Sequence, residues 1–381
     1  MRIVAPTFEK IEWMPPTITL FRELASMGHE IVYITIYPDT YFAGEEHIHN
    51  ISLKKREINF EKKIKYIRGI SGLLFRLDNL IKKSIAHRKL NRAVKKELRE
   101  GDLLWVVNEM TVLLAGTHFL RGREYFFTCY ELHERTFSKR NIEKAMRGAK
   151  CVIVPEYHRA HIMKSRYRLQ KLPIVLPNKS PLPNMEEITY TPQMDQAISR
   201  LKEYREKQIT TILYMGGITP ERPLEPLLSA LNGHEEYRLV LVGRESGYLH
   251  YLQNKYPDRF DYLGGFVTPN HLVVARYASI GLIVYISLNR ESGLNALFCA
   301  PNKIYEYTGL GLPVIANDIP GLKFEVTPNG IGEVVDFDDP TSVIKALNGI
   351  KNDYDAYTEN AKRYYEKTDI TKIIRDILAN A

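Results

Sequence analysis

The densest chemistry in the chain lies between Ala300 and Ala316, which reads Ala-Pro-Asn-Lys-Ile-Tyr-Glu-Tyr-Thr-Gly-Leu-Gly-Leu-Pro-Val-Ile-Ala. Its order is loop, short helix, glycine stop and strand. Asn302, preceded by Pro301, is a good helix N-cap. A helix starting at Lys303 presents unpaired backbone N–H groups and the positive end of its dipole, which suits a diphosphate. Lys303 adds a full charge. Glu306 falls one turn in, beside Asn302 and Lys303, where a carboxylate can accept from two ribose hydroxyls. The competing reading is an ordinary capped helix. A second cluster, Cys129-Tyr130-Glu131-Leu132-His133-Glu134, follows an apolar strand, the place where α/β folds put ligand sites. Glu131 and Glu134 are general-base candidates there, subject to geometry, and a histidine with purely structural hydrogen bonds is the alternative.

These residues need a scaffold, and the sequence supplies one twice. Residues 2–6 and 30–36 read as strands flanking an apolar-faced helix over 17–27 that Gly28 ends, which is a βαβ start. Strands over 103–107, 125–128 and 151–154 continue the series, with a helix over 139–147. Five prolines between residues 173 and 193 then mark a linker. A second series follows, with strands over 210–215, 237–242, 259–263, 280–285, 313–316 and 332–335 and a helix over 224–231. Residues 353–381 read as helical and polar. Two βα series with a proline-rich join predict an α/β fold: two Rossmann-like, doubly wound domains facing a cleft. The expected division is 1–178, a linker over 179–195, a second domain over 196–355 and a helical tail over 356–381.

With these residues in place, the chain resembles a family. Pro-Asn-Lys-x-x-Glu-Tyr, followed by Gly311-x-Pro313-Val314-Ile315, is similar to the donor-site signature of retaining family-four glycosyltransferases of the GT-B type. The segments Ala278–Tyr285 and Asn295 upstream, and 317–321 downstream, resemble the same site. The resemblance implies that Glu306 binds the donor ribose and that Pro301, Asn302 and Lys303 sit by the donor phosphates and sugar. It also implies a C-terminal helix that returns to the first domain. Residues 213–223 resemble the family's phosphate-clamp loop: Arg222 matches its lysine, and Gly217 stands where its arginine would be. By the same resemblance Gly243 ends a strand near the nucleotide, and the Phe266-Val267 loop holds the base. Tyr130-Glu131-x-His133-Glu134 is similar to the family's Tyr-Asp-x-His-Glu, which places His133 near the transferred sugar. The glutamate that often precedes Glu306 by eight positions is replaced by Phe298, and the first loop, 7–16, lacks the usual glycines.

The expected activity is therefore transfer of a sugar, with retention and without a metal, from a nucleoside-diphosphate sugar, UDP-sugar foremost, to a glycan, a lipid-linked acceptor or a cell-surface polysaccharide. His133, Glu131 and Arg222 are the expected catalytic groups. No cofactor beyond the donor is expected. A catalytically silent GT-B partner subunit is the alternative, motivated by Gly217 and the first loop.

Composition narrows the rest. Hydrophobic residues make up 44% and charged residues 26% of the 381 positions, which suits globular domains. Cys129, Cys151 and Cys299 are far apart and form no Cys-x-x-Cys, which disfavours a disulfide framework or a zinc knuckle. Asp336-Phe337-Asp338-Asp339-Pro340 is better read as a helix start than as a metal site. The net charge is +8, yet residues 51–100 alone carry sixteen Lys or Arg against five acids. That surplus predicts affinity for anionic lipid or a phosphate-bearing acceptor, alongside the plainer reading of a solvated helical face. Sedimentation with neutral and with anionic liposomes tests it, and equal binding to both would sink it. No nucleic-acid-binding motif accompanies the charge. Nor does any apolar run or leader-like start suggest a membrane span or secretion. The expected setting is cytoplasmic, peripheral to the membrane, with a homo-oligomer left open.

Overall fold

The computed structural model describes residues 1–37, 39–53, 88–134, 136–287 and 293–379. Most of the basic segment, residues 54–87, lies outside the described residues, so the expectation of a membrane-facing patch there has no structural counterpart. The chain divides into two compact units, 1–177 with 370–381, and 178–369.

The first unit is built on a seven-stranded, wholly parallel sheet. Its strands are β1 (Arg2–Thr7), β2 (Glu30–Thr35), β3 (Ile48–Ser52), β4 (Leu103–Val106), β5 (Tyr125–Thr128), β6 (Cys151–Val154) and β7 (Ile174–Val175), in the order β3-β2-β1-β4-β5-β6-β7. Central strands such as β4 and β5 are buried along their whole length. Continuous apolar runs are what a sheet covered on both faces demands. The helix Pro15–Ser26 takes a proline at its start and ends before Gly28, whose φ of +80° makes glycine the favoured residue for the reversal into β2. On this face the core is completed by the helix Ile370–Leu378, which buries Ile370, Ile374 and Ile377 beside Leu20, Phe21 and Leu24. Thr371 Oγ1 donates to Glu23 Oε2 at 2.7 Å on the same face. The short strands β3 and β7 were not expected: β7 has two residues, and β3 alternates too weakly to stand out.

The second unit carries a six-stranded parallel sheet: β8 (Thr210–Met215), β9 (Tyr237–Val242), β10 (Phe260–Gly264), β11 (Ile280–Ile283), β12 (Val314–Asn317) and β13 (Gly332–Val335), in the order β10-β9-β8-β11-β12-β13. The polar tail expected over 353–381 is two helices, Tyr354–Lys367 and Ile370–Leu378, one in each unit.

The proline-rich stretch 179–195 is packed rather than open. Leu182, Met185 and Ile188 rest on the second core. Lys179 Nζ donates to the carbonyls of Tyr365 and Thr368 at 2.6 and 2.8 Å, closing the end of Tyr354–Lys367 where a cation is favoured. Part of the proline signal is itself a helix start. Thr191 caps Pro192–Glu206 by accepting from Met194 N at 3.3 Å, and Pro192 takes the first helical position. That helix buries Met194, Ala197, Ile198, Leu201 and Tyr204, a helical period that linker composition masks.

Candidate functional site

Each sheet has one place where neighbouring strands send their connections in opposite directions. In the second unit it lies between β8 and β11, the position at which α/β sheets bind ligands at the carboxyl ends of the strands. Lys303, Glu306, Arg222 and Gly243 gather around it. The β8 strand ends at Met215 and turns at Gly216, whose φ of +125° is a glycine conformation. A Cβ there would stand 2.9 Å from Lys303 Nζ, so the bare backbone is also what lets the lysine lie across the turn. Gly243 meets the same turn from β9, and a Cβ on it would overlap the Gly216 carbonyl oxygen. Close packing of two strand ends thus explains Gly243 without any ligand.

Lys303 comes from the helix Asn302–Gly309. The expected cap is corrected: Pro301, extended at φ −74° and ψ 133°, takes the N-cap position, and Asn302 is the first helical residue. Proline fixes that geometry but offers no side-chain acceptor, and no side chain caps the helix. The first N–H groups therefore keep the anion-binding character that a capping oxygen would have spent. The helix is pinned from below by Tyr307. Its hydroxyl donates to Leu213 O and accepts from Met215 N, both at 3.0 Å. A Cβ on Gly281 of β11 would overlap the Tyr307 ring, so that glycine lets the helix sit on the sheet.

Burial lowers the Lys303 amine to about 8. The carboxylate of Glu306 opposes that shift, and the positive charge of Arg222 reinforces it. Lys303 Nζ lies 5.3 Å from the centroid of the Tyr214 ring, and the Arg222 guanidinium lies 3.6 Å from that of Tyr285. Two cations are thus held close together, each on an aromatic face. Glu306 stands one turn along, with Oε1 3.9 Å from His271 Nε2. Gly217 is exposed and brings no charge, and its carbonyl accepts from the Tyr214 hydroxyl at 2.6 Å. Phe266 packs against the core, while its neighbour Val267 is 72% exposed. Asn295 sits on the short helix Gly293–Leu297, just past the undescribed residues 288–292. Asp339 caps the helix Pro340–Asn352, accepting from Thr341 N at 3.0 Å, as its sequence suggested.

The first unit has its switch point between β1 and β4. His133, in the turn after β5, donates from Nε2 to Glu109 Oε1 at 3.2 Å. Glu109 is 1% exposed and also accepts from Tyr130 N at 2.8 Å through Oε2. Its neighbour Asn108 caps the helix Glu109–Ala115 and donates to Glu9 Oε2 at 3.3 Å. Burial raises the Glu9 carboxyl above its ordinary value, and the charges of Glu109 and Glu131 push the same way. Glu131 lies 3.6 Å from Arg159, a buried guanidinium that also donates to the Tyr130 carbonyl. His133 and Glu131 are thus in one constellation, with Glu131 engaged by an arginine. The sequence reading missed Glu9, Asn108, Glu109 and Arg159 here, and Tyr285 in the other unit. The usable signal for Asn108-Glu109 is position: a polar pair directly after a buried strand at the switch point.

The two parallel sheets define the Rossmann-like pair of the GT-B fold, and solved structures agree. Over the full length of both chains the fold is similar to a sucrose-phosphate synthase from Thermosynechococcus elongatus, with a TM-score of 0.68 at 18% identity. It is also similar to a glycosyltransferase from Rickettsia africae ESF-5, with a TM-score of 0.66 at 14% identity over 99% of this chain and 97% of that one. Anabaena Alr3699/HepE, solved with UDP and glucose, aligns over 100% of this chain and 98% of its own, with a TM-score of 0.62 at 14% identity. Residues 209–353, most of the second unit, match the family described as glycosyl transferases group 1. No curated protein sequence matches the chain. Among the described residues no helix is long and apolar enough to cross a membrane.

Proposed function

We propose that the protein is a retaining, metal-independent glycosyltransferase that takes a sugar from a nucleoside-diphosphate sugar, UDP-sugar foremost. The observation that carries this reading is the meeting of Lys303, Arg222 and Glu306 at the switch point of the second unit, at an uncapped helix N-terminus. Lys303, Arg222 and the backbone at the helix start would hold the diphosphate and stabilise charge on the leaving group. In that role they replace what a divalent cation would supply. Glu306 would accept from the ribose hydroxyls, and the backbone around Phe266 and Val267 would hold the base. Solved relatives in complex with UDP and with UDP-glucose support that donor class. The first unit would bind a glycan or lipid-linked acceptor, with His133 oriented by its neighbours and Glu131 beside it. Residues 51–100 would hold that acceptor near an anionic membrane surface at the cytoplasmic face.

Thermal-shift binding to UDP, GDP, ADP, CDP and dTDP, repeated with Glu306→Ala, tests the donor site. One diphosphate should stabilise the protein selectively, and the mutant should lose that response. Exposed Gly217, in place of an arginine, favours a second reading, a silent partner subunit. Absence of stabilisation by every nucleotide would support it and overturn the first.

A further inference from the structure

The donor site as proposed leaves the diphosphate with two side-chain cations, Lys303 and Arg222. They behave differently. Lys303 is fixed by the helix that carries it and by its contact across Gly216. Arg222 stands on the loop after β8, and a long side chain on a loop costs entropy to hold in one place.

Three contacts converge on that problem. The guanidinium carbon lies 3.6 Å from the Tyr285 ring centroid. A planar cation that close rests a face on the ring. Its Nη1 donates to Glu221 O at 2.9 Å, and the remaining N–H groups can meet a phosphate. The two loops are tied together, since Ile286 N donates to Glu221 O at 3.2 Å. Tyr285 itself is locked from a third strand. Its backbone N–H donates to Asn317 Oδ1, and its carbonyl accepts from Asn317 Nδ2, each at 2.9 Å. The amide of Asn317 extends the ladder between β11 and β12 two residues past the strand end at Ile283, and so holds the backbone that carries the ring. Arg222 and Lys303 are close enough for each charge to disfavour the other, so an attractive surface under Arg222 matters most while the site is empty.

We propose that Tyr285 is a positioning residue for donor binding: its ring, held by Asn317, presents the Arg222 guanidinium to the donor diphosphate. This rests on the donor-site reading above. A cation–π contact of this kind contributes about 2- to 30-fold in affinity.

The test is calorimetric titration with UDP, or with whichever of the other four diphosphates the wild type binds best. It needs no acceptor and no turnover. Tyr285→Leu should weaken binding about 2- to 30-fold, and Tyr285→Phe should restore most of that loss because the ring face returns. In an Arg222→Ala background Tyr285→Leu should add nothing further, since the group it positions is gone. If Tyr285→Leu does not fold, as judged by circular dichroism, Tyr285→Met takes its place. Three outcomes overturn the inference: wild-type affinity without the ring, a Phe variant as weak as Leu, or an undiminished loss in the Arg222→Ala background. Failure of the wild type to bind any diphosphate is a different result, which overturns the donor-site reading and this inference with it.

Discussion

The two units share an architecture and differ in the sign of what they place at its functional end. Both are parallel sheets with a single switch point, and both gather side chains there from loops after several strands. In the second unit, among the described residues singled out at the switch point, the charges are Lys303 and Arg222 against one carboxylate, Glu306. In the first they are the carboxylates Glu9, Glu109 and Glu131 against Arg159 and His133. One fold thus gathers cations around one switch point and carboxylates around the other. The sheet supplies the position, and a few strand-end residues decide the charge placed there. The burial costs also fall on opposite charges: Lys303 is pulled toward neutrality by losing a proton, and Glu9 by gaining one.

The largest expected effect concerns Lys303. Lys303→Met should reduce diphosphate affinity about 100-fold, as expected for a lost charge-assisted hydrogen bond in a buried place. The same variant should melt higher than wild type at pH 7 in the absence of nucleotide. The sign follows from the shift. The folded amine is near 8, below the ordinary 10.5, so between those values the unfolded chain holds more protons and stability rises with pH. Affinity should move the other way, falling as pH passes through about 8. A variant that binds normally, or a pH-independent affinity, would break the contrast between the units at its strongest point.

Glu109→Gln should act on the other side of the contrast. Turnover should fall about 10-fold, because the anionic partner of His133 is lost while the packing is kept. Diphosphate affinity measured without acceptor should not change. Equal losses in both would mean that the constellation in the first unit only supports folding.

A smaller effect should come from Gly217→Arg. The site is exposed, its φ is not in the left-handed region, and the atom nearest a Cβ is Thr219 Cγ2 at 3.9 Å. An added cation should tighten diphosphate binding about 2- to 5-fold, the range of an exposed pair, and less at high salt. No gain at low salt would show that the loop does not face the phosphates.

The sequence made this contrast legible on one side only. Lys303 and Glu306 are three residues apart in one short helix, so their placement together could be read from spacing. The first site could not. Glu9, Glu109, Glu131 and Arg159 follow four different strands, and only the sheet order brings them together. Tyr285 was visible as an apolar residue near a strand end, but nothing local says that an arginine more than sixty positions earlier lies on it. Asn302 misled for a related reason. Its side chain suits a cap, yet the proline before it fixes the extended conformation that the cap position needs and moves the start of the helix back by one. The helix Pro192–Glu206 was hidden because its proline and threonine serve equally well as loop signals.

The helix Ile370–Leu378 has one further consequence, in the timing of synthesis. It covers a face of the sheet that begins with the first strand, yet 343 residues (27–369), among them the whole of the second unit, separate it from Pro15–Ser26. On the ribosome the contiguous unit 178–369 can close its core as soon as it emerges. The unit that starts first must wait for this helix before the cover over Leu20, Phe21 and Leu24 is complete. The nascent chain therefore carries its aggregation hazard at the front and removes it at the back.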